Sequence, residues 1–333
     1  MRGAQIGNGW IASFHKEDEF LKRRVLAMMF VAILATIFCG CGGKGVVSTT
    51  KTTPPGAKPV IKNATREELV EKYNAMANGV TSLNATVELK PTAGSKYSGI
   101  IEEYHEVKTF LLAKRPAYIR VIGQVPVIGT TVFDMTSDAE TFRVSIPPKN
   151  KFLVGPVALE HASTKPIENL RPQHLLEAIL WPEIQKGEAL LFEEFNDEMA
   201  RYYILTILRG GYDTEILRKI WFDRSDLQMA RLQTFGPKGV LLSDVRVSDW
   251  QPIEPTPGTT KAVTESNGVT AFPRMIRLER PHDDYKLDLL VNKISLNEEL
   301  GSDRFQLEQP PGAELVRVGE KAEEQRSPQA AKP

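Results

Sequence analysis

The feature that most constrains the fold is a long series of short segments in which apolar and polar residues alternate. The series runs from Leu83 to Ile294, and Pro, Gly, Asn or Asp interrupts it at short intervals. Such alternation is typical of β-strands that bury one face of a sheet. Because helical segments do not alternate with these strands, the pattern is not that of a βαβ protein. The sequence therefore predicts a mainly β (α+β) fold with an antiparallel, strongly curved sheet and a helix in its concave face.

Two segments carry a helical pattern instead. Thr65 and Glu68 form a capping box, and apolar residues then recur at helical spacing as far as Val80. The second segment is RPQHLLEAILWPEI, residues 171–184, in which Pro172 suits a first helical turn and the leucines and isoleucines form one apolar face. We expect both segments to be amphipathic helices that cover the sheet.

The only two cysteines, Cys39 and Cys41, directly follow an apolar segment. A disulfide across one intervening residue is sterically poor, and a metal pair would need further ligands, which the next twenty residues lack. A positive segment, 22–24, precedes the apolar residues 25–38, as in a secretory signal sequence. The apolar segment is short for a membrane span, although an uncleaved anchor remains the alternative.

The stretch Phe38-Cys39-Gly40-Cys41 resembles a bacterial lipobox, in which the last cysteine is lipidated and becomes the new N-terminus. The resemblance implies a signal peptide over 1–40, a palmitate-type lipid anchor on Cys41, and a lipoprotein of the cell envelope. The acidic residues 17–19 do not suit a signal peptide, so we interpret residues 1–20 as an extension beyond the true start of translation.

The remaining boundaries follow from composition. Residues 41–63 are rich in Gly, Thr, Pro and Lys and are predicted to form a flexible tether, while 319–333 are predicted to be a disordered tail. The folded domain is predicted to span 64–318. Removing the 5 basic and 3 acidic residues of the first 40 from the 42 of each type leaves 37 and 39, a net charge of −2. That balance gives no reason to expect nucleic-acid binding.

The sequence lacks the usual motifs of catalysis and of cofactor binding. The histidines occur singly, without the spacing of a zinc site, and the sequence contains no GxSxG, P-loop or GxGxxG motif. Neighbouring carboxylates such as Glu102 and Glu103 would point to opposite faces of a strand, which does not suit a paired acid and base. We therefore expect no enzyme activity, no metal and no cofactor; a hydrolase with an unrecognised site remains a rival hypothesis.

Several segments resemble the LolA/LolB superfamily of outer-membrane lipoprotein carriers and receptors. They are LLAKRPAYIRVIGQVP (111–126), VFDMTSDAETFRVSIPPKNK (132–151) and FQLEQPPGAELVRV (305–318), together with the helices at 65–80 and 171–181. The family fold is an unclosed β-barrel whose helices cover an apolar cavity that receives acyl chains. The resemblance thus implies non-covalent binding of lipid or lipoprotein acyl chains, and the anchor favours a LolB-like receptor of the outer membrane facing the periplasm. Its partners would be the membrane, acyl chains and a periplasmic carrier protein.

The resemblance also points to particular residues. Arg115 lies near the position where an arginine holds the lid in the soluble carrier. Val127 and Ile128 lie in a hairpin that could face the membrane, as an apolar loop does in the receptor branch. The acyl cavity would need inward-facing apolar side chains. Its candidates are Ile119, Val121, Val132, Phe133, Phe142, Leu175, Ile179, Ile204, Ile220, Phe222, Leu287 and Leu289.

One alternative function stays open at this point. Each of these apolar residues could equally fill an ordinary core, in which case the chain would be a non-catalytic structural or interaction lipoprotein of the cell envelope with a filled half-barrel.

Overall fold

A computed structural model describes residues 61–95, 99–158, 169–197, 200–211, 214–253 and 269–318. The predicted signal peptide, the lipidation site Cys41, most of the tether and the C-terminal tail lie outside these residues. Within them, no helix is both long and apolar enough to cross a membrane.

The described residues contain two α-helices and a series of strands. Helix α1 spans Arg66–Gly79 and helix α2 spans Pro172–Ile179. The strands are β1 Ser82–Ser95, β2 Ile100–Glu103, β3 Val107–Lys114, β4 Tyr118–Gln124, β5 Thr131–Ser137, β6 Thr141–Ile146, β7 Lys151–Pro156, β8 Ala189–Asn196, β9 Arg201–Arg209, β10 Glu215–Asp223, β11 Met229–Phe235, β12 Leu241–Pro252, β13 Ala271–Arg280, β14 Tyr285–Leu296 and β15 Glu314–Arg317.

These strands form one large curved sheet that does not close into a barrel. Its order is β15-β7-β6-β5-β4-β3-β1-β14-β13-β12-β11-β10-β9-β8, and β2 pairs with β1 beside this path. Neighbours pair antiparallel except β7 and β15, which are parallel. Strand β1 connects the two halves, because it pairs with β3 on one side and with β14, from the far end of the chain, on the other. The predicted antiparallel, open, curved sheet is confirmed.

Helix α1 begins as the sequence predicted. The Thr65 side chain accepts a hydrogen bond from the Glu68 amide, and the Glu68 carboxylate accepts one from the Thr65 amide. This reciprocal pair satisfies two amides that have no partner inside the helix. The helix buries Leu69, Tyr73 and Ala77 against the sheet.

Helix α2 packs across the concave face of the sheet. It contacts β4 and β5 on one side and β13 on the other. On a flat sheet five strand spacings would separate β5 from β13, roughly 24 Å, which is about twice the length of an eight-residue helix. Contact with both sides therefore reflects the curvature of the sheet around the helix.

Two features differ from the expectation. Strand β8 was not predicted, and it forms one end of the sheet. The predicted tether extended to residue 63, but its last residues already contact the sheet. The Lys62 amide donates to the Arg224 carbonyl, and the Asn63 side chain accepts from the Arg224 guanidinium at 2.9 Å.

Candidate functional site

The candidate site is the apolar concave face together with the helix that covers it. Because side chains alternate along a strand, every second residue of the central strands points to this face and joins one continuous buried cluster. Both helices contribute to the same cluster. The candidates that belong to it are Ile119, Val121, Leu175, Ile179, Ile220, Phe222, Leu287 and Leu289, each no more than 3% exposed, and the partly buried Phe133 packs against it.

One candidate lies on the opposite, convex face. Ile204 pairs with Trp221, whereas its neighbour Leu205 pairs with the core residue Ile220. Because neighbouring residues of a regular strand face opposite sides, Ile204 cannot line a concave cavity, although it is buried. Val132 lies where the register between β4 and β5 shifts, so strand alternation does not assign it to either face.

Phe142 of β6 is buried next to the residue that precedes α2 and does not belong to the central cluster. The guanidinium of Arg171, the residue that precedes the helix, lies 4.7 Å from the centre of its ring. A cation over an aromatic face is a favourable contact, and more so where water is excluded. This contact holds the N-terminal end of α2 against β6.

A second contact at this end joins α2 to β14. A hydrogen bond connects His174 Nδ1 with the Tyr285 hydroxyl, and the two rings stack with their centres 6.0 Å apart. Burial, and then the nearby Arg280 and Arg171, lower the pKa of His174 well below its ordinary value. Burial raises the pKa of Tyr285, so its hydroxyl keeps its proton. His174 is therefore neutral at pH 7.

Charged groups from neighbouring elements surround this pair. Arg280, at the end of β13, donates to Asp283 at 2.7 Å and lies 3.9 Å from Glu177 of α2. Asn169 donates to the Asp283 carbonyl at 3.2 Å. The two carboxylates offset the positive charges of Arg280 and Arg171 next to the neutral His174.

The C-terminal end of α2 is held by Arg115, which follows β3. Its Nη2 donates to the Trp181 carbonyl at 2.8 Å and to the Ala77 carbonyl at 2.7 Å, and its Nε donates to the Val80 carbonyl at 2.9 Å. One guanidinium thus joins the end of α1 to the chain that leaves α2. These carbonyls belong to helix ends, where acceptors lack intrahelical partners.

The chain after α2, residues 181–185, forms a strap between the two helices. The Tyr73 hydroxyl donates to the Pro182 carbonyl at 2.8 Å. Asn74 donates to the Ile184 carbonyl at 2.9 Å and accepts from the Ile184 amide at 2.8 Å. Arg218 of β10 donates to the Glu183 carbonyl at 2.8 Å. Burial raises the pKa of Tyr73, which keeps the hydroxyl as a donor.

Trp181 anchors the strap in the apolar cluster. Its ring stacks on Phe272 with centres 6.0 Å apart and lies 6.1 Å from the ring of Trp250. The indole N–H donates to the Ala178 carbonyl at 2.9 Å, so no polar atom of the ring is left without a partner. Helix α1, the side chains of Arg115 and Arg218, and the aromatic rings of Phe272 and Trp250 thus all hold the strap in place.

The hairpin between β4 and β5 exposes apolar side chains. Val127 is fully exposed and Ile128 is 75% exposed. Val127 has a φ of 69°, a conformation that is strained for a β-branched residue. Local stability therefore does not explain why valine occupies the tip of this loop.

A metal site has no basis in the described residues. They contain no group of three or more His, Cys, Asp or Glu side chains placed to hold an ion.

Comparison with solved structures returned neighbours at low identity. A LolA superfamily protein from Nitrosomonas europaea is 14% identical and has a TM-score of 0.43, covering 74% of this chain and 99% of that chain. An outer membrane lipoprotein-sorting protein domain from Vibrio parahaemolyticus is 11% identical, with a TM-score of 0.41 and coverage of 71% and 93%. A DUF1329 family protein from Desulfovibrio piger is 13% identical, with a TM-score of 0.42 and coverage of 75% and 98%.

LolA superfamily proteins are thus among the structural neighbours of this chain. No protein-family model matches the chain, and no curated protein matches it significantly.

Several residues that hold α2 and the strap were not predicted from the sequence. Tyr73, Asn74, Arg171, Arg218 and Tyr285 make contacts to residues far away in the chain. Tyr73 and Tyr285 could be assigned to buried faces from their spacing, but a spacing does not identify the partner of a hydroxyl.

Proposed function

We propose that this protein binds acyl chains of lipids or lipoproteins on the concave face of its open sheet, beneath helix α2. The observation that carries the proposal is the continuous apolar face covered by a two-turn helix. That helix is held by a few polar contacts at its ends. The protein would act without catalysis or a cofactor, as a lipid-anchored protein of the cell envelope.

The polar contacts of α2 are concentrated at its two ends. His174 and Arg171 hold the first turn, and Arg115 holds the carbonyl of Trp181 beyond the last. Between them, the helix meets the sheet through apolar side chains such as Leu175 and Ile179, and Glu177 adds one ion pair, at 3.9 Å from Arg280 of β13. Moving the first turn away would therefore open the concave face while the strap stays in place.

An acyl chain could replace the apolar contacts that the helix would lose. Leu175, Leu176 and Ile179 are buried, and full burial of such side chains is worth about 2 kcal/mol each, or about 6 kcal/mol together. A chain with about 14 methylene groups gains about 11 kcal/mol when buried, at about 0.8 kcal/mol per group. The apolar contribution alone thus favours the acyl chain by about 5 kcal/mol, against which stand the polar contacts of the first turn and the entropy lost on binding.

The exposed loop at Val127 and Ile128 supports a role at a membrane. Two apolar side chains at a hairpin tip can enter a lipid surface, where their burial is favourable. Combined with lipidation at Cys41, this would suit a LolB-like receptor that accepts acyl chains from a periplasmic carrier and delivers them into the outer membrane. The anchor, the membrane and the carrier partner belong to this proposal.

One observation favours a second candidate function. The cavity candidates of the central cluster are already almost completely buried by the two helices. If α2 never moves, the half-barrel is filled by its own side chains, and the protein is a structural or interaction lipoprotein of the envelope.

Titration of the purified full chain with a fluorescent fatty acid separates the two. The variants Ile220→Thr and Ile204→Thr form a matched pair, because both residues are buried, lie on adjacent strands and face opposite sides of the sheet. The proposal predicts saturable uptake that Ile220→Thr weakens about tenfold, since an unpaired hydroxyl would face the acyl chain. Ile204→Thr should leave the affinity unchanged.

Urea unfolding of both variants controls for stability, which we expect to fall by similar amounts. Absence of saturable uptake by the parent chain would favour the filled half-barrel. Equal weakening by both variants would contradict binding on the concave face.

A further inference from the structure

Strand β8 is an open edge of the sheet with exposed apolar side chains. It pairs with β9 on one side, and no strand of the described residues pairs with its other side. Leu191 is 53% exposed, Phe192 41% and Phe195 39%. An edge of this kind leaves a row of backbone N–H and C=O groups free to pair with another strand.

β8 lacks several of the features that usually prevent such pairing, although it carries two glutamates. It contains no Lys and no Pro, and its register with β9 is unbroken by a bulge. Its two carboxylates already have partners, because Glu193 accepts from Thr206 at 3.2 Å and Glu194 pairs with Arg224. The other end of the sheet differs: β15 has four residues and carries a charge at each end, Glu314 and Arg317.

We propose that β8 pairs antiparallel with β8 of a second copy of this chain, so that two sheets join into one across a two-fold axis. Such an axis, perpendicular to the sheet, keeps the concave faces of both copies on the same side. This inference concerns a surface outside the acyl site and does not rest on the proposed function.

The charge pattern selects one register. When the axis passes through Phe192, residues 189–195 of the two copies pair, and Phe192 lies opposite Phe192 of the second copy. Each glutamate then lies opposite a leucine: Glu193 opposite Leu191, and Glu194 opposite Leu190. An axis through Glu193 or Glu194 would instead place two carboxylates directly opposite each other, which is destabilising. An axis through Leu191 would pair only residues 189–193 within the strand.

The aromatic side chains next to β8 would support the interface on both faces. On the concave side, the Phe192 ring lies 5.2 Å from the ring of Tyr203. On the convex side, Phe195 contacts Tyr202 and Trp221 at 6.4 and 5.8 Å between ring centres. These contacts order the exposed rings before association, so less conformational entropy is lost on pairing.

Analytical ultracentrifugation of the full chain, with Cys39→Ser and Cys41→Ser, tests the association. We expect the mass to rise towards that of a dimer between about 1 and 200 µM, a range that suits an interface smaller than the standard size. Phe192→Lys should weaken association by about tenfold or more, because a charge would face its own copy. Ile101→Lys, at another exposed apolar position, should have no effect.

Oxidative crosslinking in the same background tests the register. Phe192→Cys alone should form a covalent dimer. Leu190→Cys and Glu194→Cys should each fail alone but crosslink when the two proteins are mixed. A chain that stays monomeric throughout the concentration range would overturn the proposal. A dimer that the Phe192→Cys variant does not crosslink would also overturn the proposal. An association of β8 that requires a strand from a different protein would overturn it as well.

Discussion

Arg115 joins the C-terminal end of helix α1 to the strap that follows α2, so its replacement should destabilise the fold. Arg115→Met keeps the apolar stem but removes the donors to the carbonyls of Ala77, Val80 and Trp181. A hydrogen bond to a charged group contributes about 1.5–3 kcal/mol when buried. Arg115 is only partly buried and water can reach helix ends, so we take about 1 kcal/mol for each bond. The expected loss in the free energy of unfolding is about 3 kcal/mol.

Urea unfolding followed by tryptophan fluorescence measures this loss, and Trp181 itself reports on the strap. Arg246→Met is the matched control, because Arg246 is half exposed and its ion pair with Asp244 spans 3.4 Å. Such a pair contributes little, so the control should lie within about 0.5 kcal/mol of the parent. Arg115→Lys should recover only part of the loss, since one ammonium group cannot reach three carbonyls as a planar guanidinium does.

The reasoning would be refuted if Arg115→Met also stayed within about 0.5 kcal/mol of the parent. That result would mean that apolar packing alone holds the strap and that the hydrogen bonds of Arg115 do not stabilise this end of α2.

Three further predictions concern other parts of the molecule. Because the pKa of His174 is lowered in the folded protein, the unfolded chain binds more protons below about pH 6.5. The free energy of unfolding should therefore fall with decreasing pH below that value, by up to about 1.4 kcal/mol per pH unit. The variant His174→Gln should remove this pH dependence. In Gly155→Ala the new methyl group would lie 2.7 Å from the Val318 carbonyl oxygen, so unfolding experiments should show a loss of about 1–3 kcal/mol as β15 is displaced from β7. Replacing both Val127 and Ile128 by Ser should change stability by less than about 0.5 kcal/mol, yet reduce binding to phosphatidylethanolamine–phosphatidylglycerol vesicles in a flotation assay.

Each of these predictions has its own control. His282→Gln, at an exposed turn, should keep the pH dependence of the parent, and its loss there would show that His174 is not the group responsible. Gly210→Ala has open space around the new methyl group, so an equal loss there would exclude the steric explanation for Gly155. Val240→Ser changes an exposed apolar residue of another hairpin. If this variant reduced vesicle binding as much as the double variant does, the loop at Val127 would have no special role in membrane binding.

The helix at Thr65 and the strand around Leu289 could be predicted because their patterns are local. A capping box needs only four consecutive residues, and a strand with one buried face shows its period within a few residues. Alternation does not place Val132, because the register between β4 and β5 shifts beside it. Ile204 was harder to place, because β9 is buried on both faces at its centre and shows no alternation there.

Strand β8 was missed for a physical reason that also motivates the dimer proposal. Its sequence, ALLFEEFN, has apolar residues on both faces and two adjacent glutamates, so the period of a half-buried strand is absent. Tertiary contacts such as Arg115 with Trp181 could not be derived either, because they join residues separated by 66 positions and depend on the curvature of the sheet. Sequence periodicity also does not distinguish an acyl cavity covered by a helix from a core that is filled by its own side chains.

The most direct test of the central claim is photo-crosslinking of the full chain with a fatty acid that carries a diazirine on its acyl tail, followed by peptide mapping. The account predicts labelling of residues on the concave face, such as Ile220, Leu289 and Ile179, with the convex Ile204 unlabelled, and competition by unlabelled fatty acid. Labelling confined to the exposed loop at Val127, or absent altogether, would contradict acyl binding beneath α2.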